Sequence, residues 1–358
     1  MDLNGIWTLN VNLGGNCNLS CKYCMQHGLL DRSISYPLSG DFLKFLVDST
    51  QTFDVNHNST SMHGLLEIRF TGGEPLLYFE EMKKIVETLV PYNKCHYSTV
   101  TNGTLLTQEI VNFLNKYNIL ISLSNDGPRT TEFRGVNVLD DKKIVDLVKQ
   151  LKRFSIICNL NSKNCNHQEL IDYFNSFFGS EVKVNINPVY DTGMCDKDIL
   201  KFDFDQYESD LKSFLSQITP QDILDKDTTA VKLVLKYATR IRSLIRNPDL
   251  MNHFACGNDC THINLDTIGN IYFCRNSSEL VGHINEFKSV KDIFNKIKIS
   301  KKEAYNITHS KECNDCEVSV LCGGNCSYVS EYVRKEYFCR LQKITLTHFL
   351  NKIKECGK

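Results

Sequence analysis

Three cysteines near the start of the chain have the spacing of a metal-binding motif. Cys17, Cys21 and Cys24 follow one another as C-x3-C-x2-C. A cubane iron-sulfur cluster ordinarily takes four cysteine thiolates, so three thiolates leave one iron open to a small molecule. Catalytic zinc sites likewise keep an open position, whereas structural zinc sites are closed. The spacing therefore indicates a catalytic iron-sulfur cluster. It leaves open two alternatives, a structural metal site and three buried cysteines that bind no metal.

A glycine-rich segment with a carboxylate follows the second predicted strand. The strand-like run 65–71 is followed by Gly72, Gly73, Glu74 and Pro75. Glycines let a ligand approach the backbone closely, and a glutamate together with exposed carbonyls accepts hydrogen bonds from an ammonium group. The segment thus predicts a site for a charged amine.

Together, the sequences CNLSCKYC and TGGEP resemble the radical SAM enzymes. In that family the open iron chelates the amino and carboxylate groups of S-adenosylmethionine. The resemblance implies that Tyr23, which precedes the third cysteine, lies beside the adenine. It also implies that the segment from Gly72 to Pro75 holds the methionine amino group.

Two later segments resemble strand ends that contact the rest of S-adenosylmethionine in this family. Ser122 and Ser124 alternate onto one face of a predicted strand, so either serine is a candidate for the ribose contact. The residues that the resemblance assigns to the ribose and the methionyl carboxylate are Asn102, Ser122, Ser124, Asp126 and Arg134.

A second group of cysteines lies in the C-terminal third of the chain. Without the N-terminal motif, these thiols would fit zinc sites as well as iron-sulfur clusters. With it, the spacing C-x12-G-x4-C, then C-x2-C-x5-C-x3-C and a last cysteine, resembles the SPASM extension, which carries two auxiliary 4Fe-4S clusters. The resemblance assigns Cys256, Cys260, Cys274 and Cys326 to the first auxiliary cluster, and Cys313, Cys316, Cys322 and Cys339 to the second.

This interleaving of ligands couples the two auxiliary clusters. Cys326 lies within the sequence of the second cluster but belongs to the first, so neither cluster assembles without the other part of the chain. The short spacing between Cys256 and Cys260 leaves open which of them is a ligand and whether the first cluster keeps an open iron.

Five cysteines remain outside these assignments. Cys95 and Cys158 fall in apolar strand-like runs and are predicted to be core residues. Cys165, Cys195 and Cys356 lie in polar surroundings, where a thiol near the site could donate a hydrogen atom to a substrate radical. No catalytic acid, base or hydrogen donor is assigned from the sequence.

The composition bounds the class of protein. The chain has 358 residues, 42% apolar content and a formal net charge of -1, which fits two domains and gives no general attraction to nucleic acid or membrane. The first residues lack the basic start and apolar core of a signal peptide, and no apolar run approaches the length of about 18 residues that a membrane span needs. Because so many thiols require a reducing compartment, we expect a cytoplasmic protein.

Strand-like and helix-like runs alternate through residues 1–200, which predicts an α/β fold of parallel strands with helical crossovers. The resemblance implies a partial (β/α)6 TIM-like barrel; the alternation alone also allows an open doubly wound sheet. Either fold gathers the predicted site at the carboxyl ends of the strands. The predicted strands are Trp7–Leu13, Leu65–Thr71, His96–Thr101, Ile119–Ser124, Phe154–Leu160 and Val182–Asn187, and the predicted helices are Phe42–Val47, Glu81–Leu89, Gln108–Tyr117, Lys142–Lys152 and Gln168–Phe177.

We expect three parts: a radical SAM partial barrel over residues 1–200, a helical bridge over 201–250 and a SPASM auxiliary-cluster domain over 251–358. The run Ala230–Arg246 predicts a bridging helix with an apolar stripe. Its other face is basic, and we interpret that face as solvated rather than as a contact for an acidic peptide. The basic residues are Lys232, Lys236, Arg240 and Arg246.

The resemblance implies reductive cleavage of S-adenosylmethionine and hydrogen abstraction from a substrate held in near-attack range. Enzymes with a full SPASM extension mostly modify peptides, so the preferred function is a thioether or carbon-carbon crosslink in a ribosomally made peptide. An anaerobic sulfatase maturase that forms formylglycine ranks second, because Arg275 stands where such relatives carry an aspartate base. A peptide epimerase, and more distantly a non-catalytic iron-sulfur or zinc protein, are the remaining alternatives.

The same resemblance implies the cofactors and partners. The cofactors are three 4Fe-4S clusters, one of which binds S-adenosylmethionine, and S-adenosylmethionine itself. The partners are a peptide substrate and an electron donor such as flavodoxin or ferredoxin. Because the first predicted strand starts at Trp7, leader recognition is expected to fall to a separate protein, to the SPASM domain or to nothing.

Overall fold

Six parallel strands follow one another in chain order across the sheet. The computed structural model describes residues 6, 8–53, 64–192, 195, 197–248, 256, 258, 260–300, 311–324, 326 and 328–357. The six strands lie in the order β6-β5-β4-β3-β2-β1, and every neighbouring pair is parallel. They are β1 (Thr8–Asn12), β2 (Leu66–Thr71), β3 (Cys95–Thr101), β4 (Leu120–Ser124), β5 (Phe154–Leu160) and β6 (Val184–Pro188).

This strand order decides between the two folds that the sequence allowed. A doubly wound sheet reverses its order at a switch point, whereas these strands run without reversal, as in a barrel. The predicted partial barrel is confirmed. Trp7, at which the first predicted strand begins, lies outside the described residues.

Three further strands extend the sheet beyond β1. β7 (His262–Asp266) pairs parallel to β1, with Thr8 opposite His262. β8 (Asn270–Tyr272) and β9 (Leu280–His283) then add an antiparallel hairpin. The sequence did not predict these strands, which carry the cysteine-rich part of the chain to the edge of the barrel sheet.

Amphipathic helices connect the strands and bury their apolar faces against the sheet. The first one shows how local signals set its start: Ser39 is the N-cap and accepts a hydrogen bond from the Phe42 amide at 3.0 Å. The described helices are α1 (Gly40–Thr52), α2 (Phe79–Leu89), α3 (Gln108–Lys116), α4 (Thr130–Arg134), α5 (Lys142–Lys149), α6 (His167–Phe178), α7 (Phe204–Ser216), α8 (Pro220–Asp225), α9 (Thr229–Arg246), α10 (Val290–Ser300), α11 (Lys311–Asn314), α12 (Ser319–Cys322), α13 (Glu331–Val333) and α14 (Arg340–Cys356).

The last helix fixes the cysteine-rich region to the bridge. Tyr237 of α9 packs on Phe349 of α14 with ring centroids 4.3 Å apart, and the hydroxyls of Tyr207 and Thr345 lie 2.8 Å apart. A π-helix, Arg334–Cys339, leads directly into α14. Contacts made by α14 therefore also position Cys339, the last residue of the π-helix. Single π-helical turns often occur at functional sites.

The basic face of α9 packs against protein, so the interpretation as a solvated face is wrong for two of its residues. Lys236 Nζ lies 3.4 Å from the carbonyl oxygen of Ile186 in β6, and burial lowers its pKa to about 8. Arg240 Nε donates to the Leu321 carbonyl at 2.8 Å. This face thus joins the barrel to the cysteine-rich region. None of the described helices combines the length and apolar character needed to cross a membrane.

Candidate active site and cluster sites

The loop that carries the first three cysteines rests on the Gly-Gly-Glu segment. The Gly73 amide donates to the Gly14 carbonyl at 3.0 Å, and the Glu74 amide donates to the Asn16 carbonyl at 2.8 Å. A Cβ on Gly73 would lie 2.2 Å from the Asn16 oxygen, closer than two atoms can pack. Gly72 has a φ of +141°, which favours glycine. The two glycines are therefore required by the chain's own backbone as well as by any ligand.

The Glu74 carboxylate is fully engaged by the protein. Its Oε1 accepts from the Thr101 hydroxyl at 2.7 Å and the Leu76 amide at 3.0 Å, and its Oε2 accepts from the Asn102 amide at 2.8 Å. Burial raises its pKa, although these hydrogen bonds oppose the shift. The side chain thus fastens the segment after β2 to the end of β3.

Asn102 extends this connection to the cysteine loop. Its side-chain amide donates to Asn18 Oδ1 at 2.8 Å, and Asn18 lies between Cys17 and Cys21 in sequence. Arg32 holds the same loop from the other side, since its Nη2 donates to the Leu19 carbonyl at 2.7 Å. The two contacts orient the loop relative to the strand ends.

Asp126, after β4, collects hydrogen bonds from three parts of the site. Its Oδ2 accepts from the Tyr23 hydroxyl and from Arg134 Nε, the latter at 2.7 Å. Its Oδ1 accepts from the Asn159 amide at 2.9 Å. Burial and the Asp126 charge raise the pKa of Tyr23 well above its usual value. Burial lowers the pKa of Arg134. The charge of Asp126 and its hydrogen bond, together with the charges of Tyr23 and Cys21, raise that pKa overall.

A cleft of about 430 Å³ opens at the carboxyl ends of the strands. Of the two candidate serines, Ser124 lines this cleft, whereas the Ser122 hydroxyl lies 3.0 Å from that of Ser155. Glu74, Asn102 and Asp126 support the wall from behind. The predicted cluster and cofactor residues that line it are Cys21, Tyr23, Cys24, Gly72, Gly73, Pro75, Ser124 and Arg134.

Burial favours the protonated form of two thiols of the first motif, Cys17 and Cys21. Burial raises the pKa of Cys17, and burial raises that of Cys21 to about 11. Only thiolates bind iron, so loading of a cluster here must release protons. The Arg32 and Arg134 charges lower the pKa of Cys17 and Cys21 respectively, which favours the thiolates.

A second cavity, of about 340 Å³, lies beside the cleft and contains cysteines of the first predicted auxiliary site. Cys256, Cys274 and Cys326 line it, together with Cys322. The pKa of Cys326 is raised to about 11 by burial, and the neighbouring Cys274 adds to that increase. The structure therefore brings Cys326 next to Cys274, across 52 positions of sequence from residue 274 to residue 326.

A third cavity, of about 350 Å³, has all four predicted ligands of the second auxiliary site in its wall. They are Cys313, Cys316, Cys322 and Cys339. Burial, with the charges of the other three thiols, raises the pKa of Cys322 to about 11. Among the described residues no three His, Cys, Asp or Glu side chains converge on a single metal ion.

Met25, Tyr190, Arg275 and Asn276 line both of the first two cavities. Sequence reasoning singled out only Arg275 among them, and not as a residue of a junction. Their neighbours in sequence gave a signal, because Met25 follows Cys24 and Arg275 follows Cys274. Asn159 and Asn187 also line the cleft and face each other in the register of β5 and β6; strand periodicity alone could not indicate which face is the interior.

The unassigned cysteines separate in the structure. Cys158 is buried in the core, as predicted, and Cys95 is half-buried against it. Cys195 packs against the small apolar cluster of Tyr23, Phe133 and Val189. Cys165 packs on the main core, and Cys356 ends α14.

Comparison with known proteins places this geometry in a family. Residues 11–162 match the model of the radical SAM superfamily. The chain is 21% identical over 338 residues to the radical SAM cyclopropyl synthase TigE of Paramaledivibacter caminithermalis, covering 90% of this chain and 68% of TigE. It is 24% identical over 361 residues to the cysteine-type anaerobic sulfatase-maturating enzyme of Clostridium perfringens, covering 91% of both chains.

Solved structures share the fold. Native anSMEcpe with bound AdoMet and Cp18Cys peptide superposes with a TM-score of 0.70 at 21% identity, over 98% of this chain and 99% of that one. Streptococcus suis SuiB bound to precursor peptide SuiA superposes with a TM-score of 0.58 at 16% identity, over 93% of this chain and 74% of SuiB. Residues 11–162 therefore carry a radical SAM domain, and the chain shares its fold with anSMEcpe and SuiB. A radical SAM domain implies a 4Fe-4S cluster and S-adenosylmethionine as cofactors.

Proposed function

We propose that this radical SAM enzyme matures a ribosomally made peptide by forming a thioether or carbon-carbon crosslink. The observation that carries the proposal is the junction of the two cavities: Met25, Tyr190, Arg275 and Asn276 line both the cleft at the strand ends and the cavity with Cys274 and Cys326. A peptide in this passage would contact the S-adenosylmethionine site on one side and an auxiliary cluster on the other.

The residues of the cleft have distinct roles in this proposal. Cys17, Cys21 and Cys24 hold the first cluster, and Tyr23 lies beside the adenine. The backbone of Gly72 and Gly73 receives the methionine amino group, because the Glu74 side chain is engaged in holding that segment. Ser124 is the better candidate for the ribose contact, since it lines the cleft. When bound, S-adenosylmethionine and its cluster supply a carbon radical that removes hydrogen from an unactivated C–H bond.

Two auxiliary 4Fe-4S clusters complete the proposed cofactor set. Their ligands would be the interleaved sets, Cys256, Cys260, Cys274 and Cys326 for the first and Cys313, Cys316, Cys322 and Cys339 for the second. Support comes from the two cysteine-lined cavities: Cys256 and Cys274 share one with Cys326, and Cys313, Cys316, Cys322 and Cys339 line the other. A flavodoxin or ferredoxin would deliver electrons.

A peptide substrate is supported by the relatives. TigE is a radical SAM cyclopropyl synthase, and the structures of anSMEcpe and SuiB contain bound peptides. Formylglycine formation is the second candidate, favoured by the 24% identity to a sulfatase-maturating enzyme across 91% of both chains. Against it, none of the described residues that line the cleft is an Asp or Glu, and a guanidinium such as that of Arg275 cannot serve as a base.

Coexpression with the peptide encoded next to this gene tests the proposal. A crosslink removes two hydrogens from the peptide, so its mass should fall by that amount only when S-adenosylmethionine and all three clusters are present. A matched reaction with a cysteine-containing sulfatase peptide tests formylglycine. Release of 5'-deoxyadenosine with no mass change in the peptide would point to epimerisation and overturn the crosslinking proposal.

A further inference from the structure

Arg275 brings a positive charge to the junction of the two cavities. Its side chain lines both the cleft at the strand ends and the cavity with Cys274 and Cys326. It follows β8, and its sequence neighbours also line these cavities: Asn276 lines both, and Cys274 lines the cavity with Cys326. Within the described part of the chain, the guanidinium has no hydrogen bond or ion pair, although it carries five N–H donors.

The nearby carboxylate is already occupied. Glu67 accepts two hydrogen bonds from Arg69, at 3.1 and 2.7 Å. It accepts two more from Ser98 at 2.5 Å and Thr8 at 2.9 Å. Burial opposes ionisation of Glu67, but Arg69 and these hydroxyls lower its pKa. Because the Glu67 carboxylate is held by these donors, the guanidinium of Arg275 is left to bind another anion.

A second polar group lines the same cavity. Asn10 is 2% exposed, and no residue that the structure describes donates a hydrogen bond to its buried side-chain oxygen. Its amide group donates to Asn264 at 2.9 Å, which sets the orientation of the side chain. Asn10 lines the cavity that Arg275 also lines. An unpaired buried acceptor is costly, and cluster sulfides cannot satisfy it because they too are acceptors; a peptide N–H can.

We propose that the segment of substrate held at this junction contains an acidic residue, whose carboxylate binds Arg275 while a backbone N–H of the peptide donates to Asn10. The inference rests on the proposed peptide function and adds the chemical class of the substrate. Arginine matches a carboxylate with two parallel N–H donors, so the contact selects Asp or Glu over the corresponding amides. It would hold the target residue between the cleft and the auxiliary cluster.

This selectivity is measured as the amount of peptide that the enzyme binds from each of two peptide pools, under conditions in which no reaction takes place. The probes are capped five-residue peptides with Asp at the centre and random neutral residues around it, and the same pool with Asn at the centre. Each is mixed with oxygen-free holoenzyme and S-adenosylmethionine, without reductant, and bound peptide is quantified by mass spectrometry after ultrafiltration. The wild type should retain the Asp pool about tenfold more than the Asn pool.

Variants of Arg275 test whether its guanidinium causes the preference for the Asp pool. Arg275→Gln should bring the ratio of the two pools close to one, and Arg275→Lys should keep part of it because the charge remains. Arg242→Gln is the matched control, since Arg242 is exposed on α9 and the variant loses the same charge; it should behave as the wild type. Iron content of each variant verifies that the fold is retained.

The alternatives give different results. Equal retention of both pools by the wild type, or an unchanged preference in Arg275→Gln, would overturn the inference. Weaker S-adenosylmethionine binding in Arg275→Gln with an unchanged pool ratio would assign the carboxylate to the cofactor instead. A shifted auxiliary-cluster potential with equal pools would make Arg275 a counter-charge for the cluster. Failure of the proposed function appears separately, as an unmodified peptide in the coexpression assay.

Discussion

Tyr23 donates its hydroxyl hydrogen to Asp126, which joins the cysteine loop to the end of β4. The same carboxylate oxygen accepts from Arg134 Nε at 2.7 Å, and the Arg134 guanidinium lies over the Tyr23 ring, 5.4 Å from its centroid. Lys22 adds a backbone hydrogen bond to the Phe133 carbonyl at 2.8 Å. The position of the second and third cysteines is thereby tied to a helix more than a hundred residues later, α4 at Thr130–Arg134.

Asp126→Asn tests this connection. The substitution keeps the shape of the side chain but leaves the buried Arg134 charge without its partner, which should cost about 3 to 5 kcal/mol. We expect a lower melting temperature and weaker S-adenosylmethionine binding by the holoenzyme. Asp198→Asn breaks an exposed pair with Lys201 and should leave both nearly unchanged. Equal behaviour of the two variants would contradict the assignment.

Glu74→Ala should weaken S-adenosylmethionine binding while iron is retained. The variant leaves the Thr101 hydroxyl and the Leu76 and Asn102 amides without their acceptor, at about 1 to 3 kcal/mol for each buried donor. Glu74→Gln keeps an acceptor oxygen, so its effect should be smaller. Glu80→Ala, on the exposed face of α2, is the control. If Glu74→Ala binds S-adenosylmethionine with an unchanged dissociation constant, Glu74 does not support the cofactor site.

Gly73→Ala should prevent the cysteine loop from seating. The new methyl group would lie 2.2 Å from the Asn16 carbonyl oxygen, which is backbone and cannot move aside cheaply. We expect loss of the first cluster and of S-adenosylmethionine cleavage. Gly40→Ala, at the start of α1, meets no atom within 4 Å and should be tolerated. Iron content measured on both proteins decides the prediction, and full iron in Gly73→Ala would refute it.

The interleaved ligand sets make a quantitative prediction about iron. Three cubane clusters contain about twelve iron atoms. Replacement of Cys17, Cys21 and Cys24 together should remove about a third of this iron and abolish cleavage of S-adenosylmethionine. Cys274→Ala combined with Cys326→Ala should lose no more iron than either variant alone, because both ligate one cluster. The double variant with Cys322→Ala and Cys326→Ala should lose about eight iron atoms, since each substitution removes a ligand of a different cluster. Cys356→Ala, at the end of α14, should keep the full content.

Lys236 gives the protein a pH dependence of known sign. Its folded pKa is lowered by burial to about 8, from an ordinary 10.5. The unfolded chain therefore binds more protons between these values, so this residue's penalty is complete below about pH 8 and disappears as pH rises toward 10.5. Lys236→Met should melt higher than the wild type at pH 7, with a difference that shrinks at alkaline pH. Lys149→Met, an exposed control on α5, should show no such trend.

Local sequence determined the elements and the cysteine motifs. The alternation of strands and helices was readable because each element buries one face, and Gly72 and Gly73 stood out because few other residues fit a close backbone approach. The boundaries of β5 were predicted to the residue. Strands β7 to β9 were missed, since β7 pairs with the distant β1 at the edge that the barrel leaves open, and β8 and β9 are then added to β7.

Only the tertiary structure decided which residues face the cleft. Ser122 and Ser124 share a strand face, yet Ser122 pairs with Ser155 deeper in the sheet while Ser124 reaches the opening. The sequence by itself determined the cysteine spacings and the family resemblance, because these lie in short segments of the chain. The role of Glu74 as a support and the place of Arg275 at the junction of two cavities depend on packing between distant segments, which no spacing records.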